Sequence, residues 1–307
     1  MNSRIRPILA SFPFRLFITS SLIAVLAIRL DLEKLLHTIT NFEPTVALGM
    51  FGINLVALVL FAKRWQLIAS GLGLEARFWI FLRAIWLANF FSQFGPSLLL
   101  AEATRFQALR RLTSKRRLIT SQVLDRVSGQ IVLFLIVLAL LPLYGLEIPD
   151  WWSASIGLGF MLIGLGMYFL PHLHRHLYDR SNPDIRQALR LMGWRHIQGH
   201  YGVSLALQLL LILNFNLAAF GIGVREPLAQ LLIFTPLVFA ALTLLPLTIS
   251  DWGSREAAAA VLLSPSGIDS ETLVAVSVVY GLLHLLAALP GGLFLLYRVQ
   301  NETPNPG

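Results

Sequence analysis

The sequence predicts an all-α integral membrane protein: six full spans plus two re-entrant helical hairpins, arranged as an inverted-topology repeat. Three observations lead there. Hydrophobic residues make up 56% of the 307 residues and charged residues only 13%, about half the charge of a soluble domain. The apolar residues gather in runs near the roughly 20 needed to cross a bilayer. The basic residues then decide which runs cross.

The runs are Leu16 to Ile28 with apolar flanks, Pro44 to Ala62, Phe78 to Ala101, Val127 to Leu146, Trp151 to Pro171, Tyr201 to Val224, Pro227 to Ser250 and Thr272 to Tyr297. A shorter run, Ala257 to Ile268, is too short to span. The N-terminus carries Arg4, Arg6 and Arg15 without a small-residue cleavage site after the first run, which reads as a retained signal anchor. If all eight runs cross with the N-terminus inside, 8 basic residues fall inside and 15 outside, with Arg83 in the membrane. That opposes the positive-inside rule. If Phe78 to Ala101 bends near Gly95-Pro96, and Pro227 to Ile268 bends near Pro246, each returning to its own side, the count becomes 20 inside. Only Arg29, Lys34, Arg225 and Arg255 are then outside. Proline supplies each break by removing a backbone donor and clashing with the preceding turn. Both termini are then cytoplasmic.

The hairpins resemble each other. PSLLLAEATR (Pro96 to Arg105) and PLTISDWGSR (Pro246 to Arg255) each hold Pro, an acidic residue (Glu102 or Asp251) and Arg nine positions after the Pro. Two spans precede each hairpin and one follows. A unit of three crossings must be followed by its copy upside down, the inverted repeat of many transporters. The chain is read as one membrane domain with halves of about 1–147 and 148–307.

Non-helical backbone at membrane depth needs protein or a cavity around it, so the hairpin tips are the candidate site. Asn89 and Pro96 lie at the first, Pro246, Thr248 and Gly253 at the second. Arg105, Asp251, Arg255 and Glu256 are costly charges that default to function in a membrane. Arg holds a phosphate by two parallel hydrogen bonds. For Arg105 the alternative is snorkelling to the interface and pairing with Glu102. Asp125-Arg126 is either a buried pair or the end of a cytoplasmic helix. Lys63-Arg64-Trp65 reads as an interfacial anchor, and Arg110 to Arg117 as a surface against anionic lipid headgroups.

Other chemistry finds little support. There is no cysteine, which excludes disulfides and thiol nucleophiles. His172, His174 and His176 lack ligand spacing and read as surface, so no metal and no cofactor are expected. No Walker loop, GxSxG or HExxH occurs. The net charge of +8 follows from the cytoplasmic loops and not from nucleic-acid binding.

KRW (Lys63 to Trp65), NFFSQFGPS (Asn89 to Ser97), LDRVSG (Leu124 to Gly129), LPLTISDWGSREAA (Leu245 to Ala258) and PGG (Pro290 to Gly292) occur in that order. This series resembles the lysylphosphatidylglycerol synthase transmembrane family, the flippase-like or uncharacterised family 0104 membrane proteins. The most specific piece is P-x-S/T-x-x-x-x-G-x-R-E, at Pro246, Thr248, Gly253, Arg255 and Glu256. Members usually carry P-x-x-x-G-G-D-x-x-R at the first hairpin, where this chain has Leu100, Ala101 and Glu102 in place of Gly-Gly-Asp. The resemblance implies movement of lipid headgroups across a bacterial inner (plasma) membrane. The substrate would be an anionic or aminoacylated phospholipid or a lipid-linked sugar. Fused members add a soluble aminoacyl-transferase domain that this sequence does not contain, so no synthase activity is expected with the resemblance. The alternatives are a non-transporting subunit docking a lipid- or glycan-modifying enzyme, and an embedded enzyme using Asp251 or Glu256 as general base.

Overall fold

The computed structural model describes residues 40–94, 97–140, 197–225, 228–244, 248 and 250–295, with isolated positions at 20, 33, 143, 187, 190 and 191. The expected spans Leu16 to Ile28 and Trp151 to Pro171 lie outside the described residues. So do Pro96 and Pro246, and the His172, His174 and His176 stretch.

All regular structure among the described residues is helical. In chain order the helices are α1 Pro44–Gly71, α2 Phe78–Ser92, α3 Ser97–Leu109, α4 Lys115–Leu140, α5 Gly202–Ile222, α6 Leu228–Leu244, α7 Ser254–Leu262 and α8 Ser270–Ala288. A single π-turn, Ile197–Tyr201, leads into α5, and a 3₁₀ segment, Leu289–Leu295, continues α8. Four helical stretches are long and apolar enough to cross a membrane: Pro44–Gly71, Lys115–Leu140, Gly199–Ile222 and Ser270–Phe294. By contrast α2, α3 and α7 have 15, 13 and 9 residues. At 1.5 Å per residue none of these three spans the roughly 30 Å hydrocarbon layer alone. The described helices therefore run long, broken pair, long, and again long, broken pair, long.

Several boundaries differ from those read in the sequence. α1 continues nine residues past Ala62, through Lys63-Arg64-Trp65 to Gly71. α4 begins at Lys115, well before Val127, and so takes Asp125 and Arg126 into its length. Hydropathy ends a span at a charge. A helix can continue when partners neutralise that charge, as they do for Arg64 and Asp125 (below). The short run after Arg255 forms α7 and a 3₁₀ turn, Ser264–Ser266.

Large apolar side chains cover much of the outer surface, and a set of polar side chains is buried beside the apolar cores, unlike a water-soluble bundle. Leu48, Val56, Leu209, Leu213, Val261 and Leu286 are exposed, while Asn54, Ser128, Ser204, Asn214, Thr235 and Ser277 are buried. A lipid-facing surface accepts the first set, and most of the second set hydrogen-bond within the interior, Asn214 being the exception among them. Met50, Leu133, Phe215, Leu231, Ala259 and Val276 form the larger apolar core, joining α1 and α4 to α5 through α8. Leu58, Trp65, Phe81, Ile85, Leu109 and Leu118 form a second core around the first broken pair.

The end of α8 seats that pair. Trp86 Nε1 donates to Ala287 O at 2.9 Å, and Arg83 Nη2 to Phe294 O at 3.1 Å. Gly291 and Gly292 make the approach possible. A Cβ at Gly291 would lie 2.5 Å from Trp86 O, and one at Gly292 would lie 2.9 Å from the Phe90 ring. The PGG motif is therefore a packing device, and Arg83 is satisfied at membrane depth by a backbone carbonyl.

Candidate functional site

Between the two broken pairs lies a cavity of about 420 Å³. The first pair supplies Asn89, Gln93 and Glu102 to its wall, and the second supplies Ser250, Asp251 and Arg255. Arg105 of α3, Arg126 of α4, Asn54 of α1 and His284 of α8 complete its polar lining, and Phe61, Leu211, Phe239 and Trp252 contribute apolar wall. A smaller cavity of about 210 Å³ adjoins it, sharing Glu102, Arg105 and Arg126 and extending to Arg64 and Asp125. Most of the charged residues selected from the sequence thus meet in one place.

On the first pair, an ion-pair chain organises the wall. Asp125 is 2% exposed and holds two guanidinium groups, Arg64 Nε at 2.7 Å through Oδ1 and Arg105 Nη2 at 2.8 Å through Oδ2. Arg105 Nη1 reaches Glu102 Oε1 at 3.3 Å, and Arg126 Nη2 reaches the same oxygen at 3.3 Å. The Arg105 guanidinium also lies 4.1 Å from the centre of the Trp65 ring. Trp65 is fixed in turn by its Nε1 donating to Ser121 Oγ at 3.1 Å. Gly129 clears space for this arrangement, since a Cβ there would lie 2.6 Å from Arg64 Nη1.

Lys63-Arg64-Trp65 is therefore not an interfacial anchor. Lys63 is exposed, but Arg64 and Trp65 are 5% and 0% exposed and carry the hairpin arginine. Buried charges persist when paired and hydrogen-bonded, and the partner lies 61 residues away, which no local pattern announces. Of the alternatives for Asp125-Arg126, the buried pair describes Asp125. Arg126 is part-exposed and faces the cavity. Glu102 stands where the family carries Asp, and it still engages two arginines. Its second oxygen, Oε2, is buried without a hydrogen-bond partner, as is Arg105 Nε.

The second pair builds its wall from a strained turn. Ser250 and Asp251 have φ of 51° and 60°, and Gly253 has φ of 82°. Left-handed backbone suits glycine and costs other residues about 1–2 kcal/mol each, so two consecutive non-glycine residues there mark a turn held by its surroundings. Thr248 Oγ1 and Ser254 Oγ are 2.6 Å apart, and Ser254 Oγ donates to Asp251 O at 3.1 Å. Ser250 Oγ donates to Gln93 Oε1 at 2.9 Å, tying the second pair directly to the first. Gly253 begins α7, and its backbone N–H donates to Glu256 Oε2 at 2.6 Å.

Glu256 is fully engaged. Its Oε1 accepts from Arg255 Nη2 at 3.0 Å, Arg255 Nε at 3.2 Å and Ser277 Oγ at 2.9 Å. Arg255 is 5% exposed, its side chain buried within the protein. Its guanidinium lies 4.9 Å from the Trp252 ring centre and 5.8 Å from that of Tyr280. Gly281 leaves the room it occupies, because any Cβ there would overlap the guanidinium.

On α8, His284 joins three helices. Its Nδ1 lies 3.4 Å from Asn54 Oδ1 and its Nε2 lies 3.2 Å from Asn89 Oδ1. Ser277, Tyr280, His284 and Asn54 were not among the residues selected from the sequence. Asn54 and His284 could have been, since a polar residue inside an otherwise apolar span is costly and functional by default. Ser277 and Tyr280 gave no such signal.

The cavity, the strained turn and the arginine chain use the residues of the KRW, LDRVSG and SDWGSRE segments. Residues 13–292 match the family described as the lysylphosphatidylglycerol synthase TM region. The chain belongs to this family. No curated protein and no solved structure shows significant similarity to it. Membership makes the chain a multi-pass membrane protein of a lipid-associated family, in agreement with the four apolar spanning helices. Within this member of the lysylphosphatidylglycerol synthase TM family, the Leu100-Ala101-Glu102 substitution leaves the first pair helical from Ser97, with Ala101 and Glu102 on the cavity wall.

Proposed function

We propose that the chain translocates a lipid with an anionic headgroup between leaflets, the headgroup passing through the cavity while the acyl chains stay in the bilayer. The observation that carries this reading is a cavity walled by both broken helix pairs, with Arg105, Arg126 and Arg255 on its surface. Its volume of about 420 Å³ falls in the range of about 300–1,000 Å³ typical of ligand pockets. Phosphodiester oxygens are natural partners of guanidinium donors. Arg255 is held through Nε and Nη2, which leaves its Nη1 edge for the headgroup. Both Nη groups of Arg105 are occupied by carboxylates, so Arg105 serves mainly to position Glu102 and Arg126.

In this reading the broken pairs are re-entrant hairpins of an inverted repeat, and six spans cross a bacterial inner membrane with both termini cytoplasmic. Rocking of one half against the other exposes the cavity to each leaflet in turn. The Ser250–Gln93 hydrogen bond is the contact that such rocking breaks. The substrate is an anionic or aminoacylated phospholipid or a lipid-linked sugar. The test is reconstitution in liposomes with fluorescent lipids of different headgroup charge, following quenching by an impermeant reductant. Protein-dependent loss of the protected inner-leaflet fraction for anionic lipids supports the reading. Exchange no faster than in empty liposomes for every lipid removes it.

A further inference from the structure

The charges around the cavity balance. Arg64, Arg105, Arg126 and Arg255 face Glu102, Asp125, Asp251 and Glu256. His284 lies between the side-chain amides of Asn54 and Asn89 and is counted neutral, donating to one amide oxygen and accepting from the other amide turned to present its Nδ2. With every carboxylate ionised, the empty site is neutral. A phosphodiester headgroup then brings a net negative charge into an enclosed space, where an uncompensated charge costs several kcal/mol. Binding an anion in this site requires a cation to accompany it.

Only one of the four carboxylates is uncommitted. Asp125 holds two arginines at 2.7 and 2.8 Å. Glu102 holds two at 3.3 Å. Glu256 accepts four hydrogen bonds, from Arg255 Nε and Nη2, from Ser277 Oγ and from Gly253 N. The Asp251 carboxylate receives no hydrogen bond and no ion pair among the described residues, and it lies on the cavity wall on a left-handed turn. The groups that act on it are Arg126 from α4, Arg255 and Glu256 from α7, and Tyr280 from α8. From α3, Glu102 bears on it only through Arg126. The α2 residue nearest the turn, Gln93, is uncharged and bonds Ser250.

We propose that Asp251 takes up a proton as the anionic headgroup enters, so that lipid and proton cross together as a neutral complex. This inference rests on the translocation reading and adds its coupling ion. Protonation converts Asp251 from a repelling anion into a donor toward a phosphate oxygen, and removes a negative charge that competes with the headgroup for the field of Arg126 and Arg255. On the far side, loss of the proton restores the anion and expels the headgroup. A proton gradient across the membrane would therefore set the direction of movement.

The test uses the full chain purified in detergent and short-chain phosphatidylglycerol as probe, a monoanion without a titrating group between about pH 5 and 8. Calorimetry in buffers of different ionisation enthalpy reads the protons taken up per headgroup bound. About one proton per headgroup is expected. Affinity should fall about tenfold per pH unit above the pKa of Asp251, since the protonated form is the one that binds. Asp251→Asn should bind with a flat pH dependence and no proton uptake, and Asp251→Glu should retain both. Binding to the native chain without proton uptake overturns the inference and leaves translocation standing. A pH slope preserved in Asp251→Asn removes Asp251 as the site. Failure of the native chain to bind the probe at any pH overturns this inference, whereas the translocation reading falls only if no lipid exchanges in the liposome assay.

Discussion

Replacing Asp125 by alanine isolates the arginine chain from the rest of the fold. Asp125 is 2% exposed and is the acceptor for Arg64 at 2.7 Å and Arg105 at 2.8 Å. Both arginines are themselves buried, at 5% and 6% exposure. Asp125→Ala leaves one guanidinium without a carboxylate and the other with only Glu102. Removing one partner of a buried pair costs about 3–5 kcal/mol, and two arginines share this loss, so the upper end is expected. Arg64→Met is a different perturbation. It leaves Asp125 paired with Arg105, so only one charge-assisted hydrogen bond disappears, at about 1.5–3 kcal/mol. The double variant removes an anion and a cation together and should cost less than the sum of the two, by about 1–3 kcal/mol. Reversible unfolding in mixed detergent, with the four proteins compared at equal concentration, measures these differences. Additive costs would refute the pairing, as would an Asp125→Ala protein within about 1 kcal/mol of the native one.

Other outcomes test the site and the membrane placement. Arg255→Lys should lose most of the lipid exchange lost in Arg255→Ala, since an ammonium cannot keep both Glu256 and a phosphate oxygen in planar register; near-native exchange at matched abundance would leave Arg255 as a simple charge. Gly281→Ala should behave like Arg255→Ala in the same assay, because the added methyl takes the space of the guanidinium, and native exchange would show that the arginine can move aside. Reporter fusions at Gln300 and within Arg180 to Arg190 should both report the cytoplasm, and labelling of a cysteine introduced at Arg186 by an impermeant reagent outside intact cells would reverse the orientation.

The sequence carried the helical class, the breaks and the identity of the hairpin charges, because each leaves a local mark. Apolar runs mark spans, Gly95-Pro96 and Pro246 mark breaks, and Glu102, Arg105, Asp251, Arg255 and Glu256 stand out against apolar flanks. What it did not carry is which charges neutralise which. Arg64 finds Asp125 across 61 positions, and Trp86 finds Ala287 across 201. Such partners depend on how helices cross, and no periodicity encodes them. The misreading of Lys63-Arg64-Trp65 follows from this. Taken locally, a basic pair with an aromatic is what an interface selects, and only the buried carboxylate of α4 changes its meaning. Gly129 and Gly291 were legible as motif letters but not as physics, and Gly281 lay in no motif. Gly129, Gly281 and Gly291 each face a side chain or carbonyl from another helix, and their reason for lacking a Cβ lies in that neighbour.

The two hairpin arginines occupy matching places in the sequence and serve unlike ends. Arg105 is pinned by Trp65 on one face and by carboxylates on both Nη groups. It has little capacity left for a ligand and acts as a fixed post for Glu102 and, through it, Arg126. Arg255 has its carboxylate and serine on the Nε and Nη2 edge only, between two aromatic rings that restrict its plane without consuming its donors. The first broken pair is therefore the more firmly held wall, and in the proposed reading the second is the one that meets the headgroup. The strain at Ser250 and Asp251 lies in the second pair, at the point where Ser250 hydrogen-bonds Gln93 of the first. In the proposed reading the two arms must differ in this way, because two pinned arginines would offer the headgroup no free donor edge.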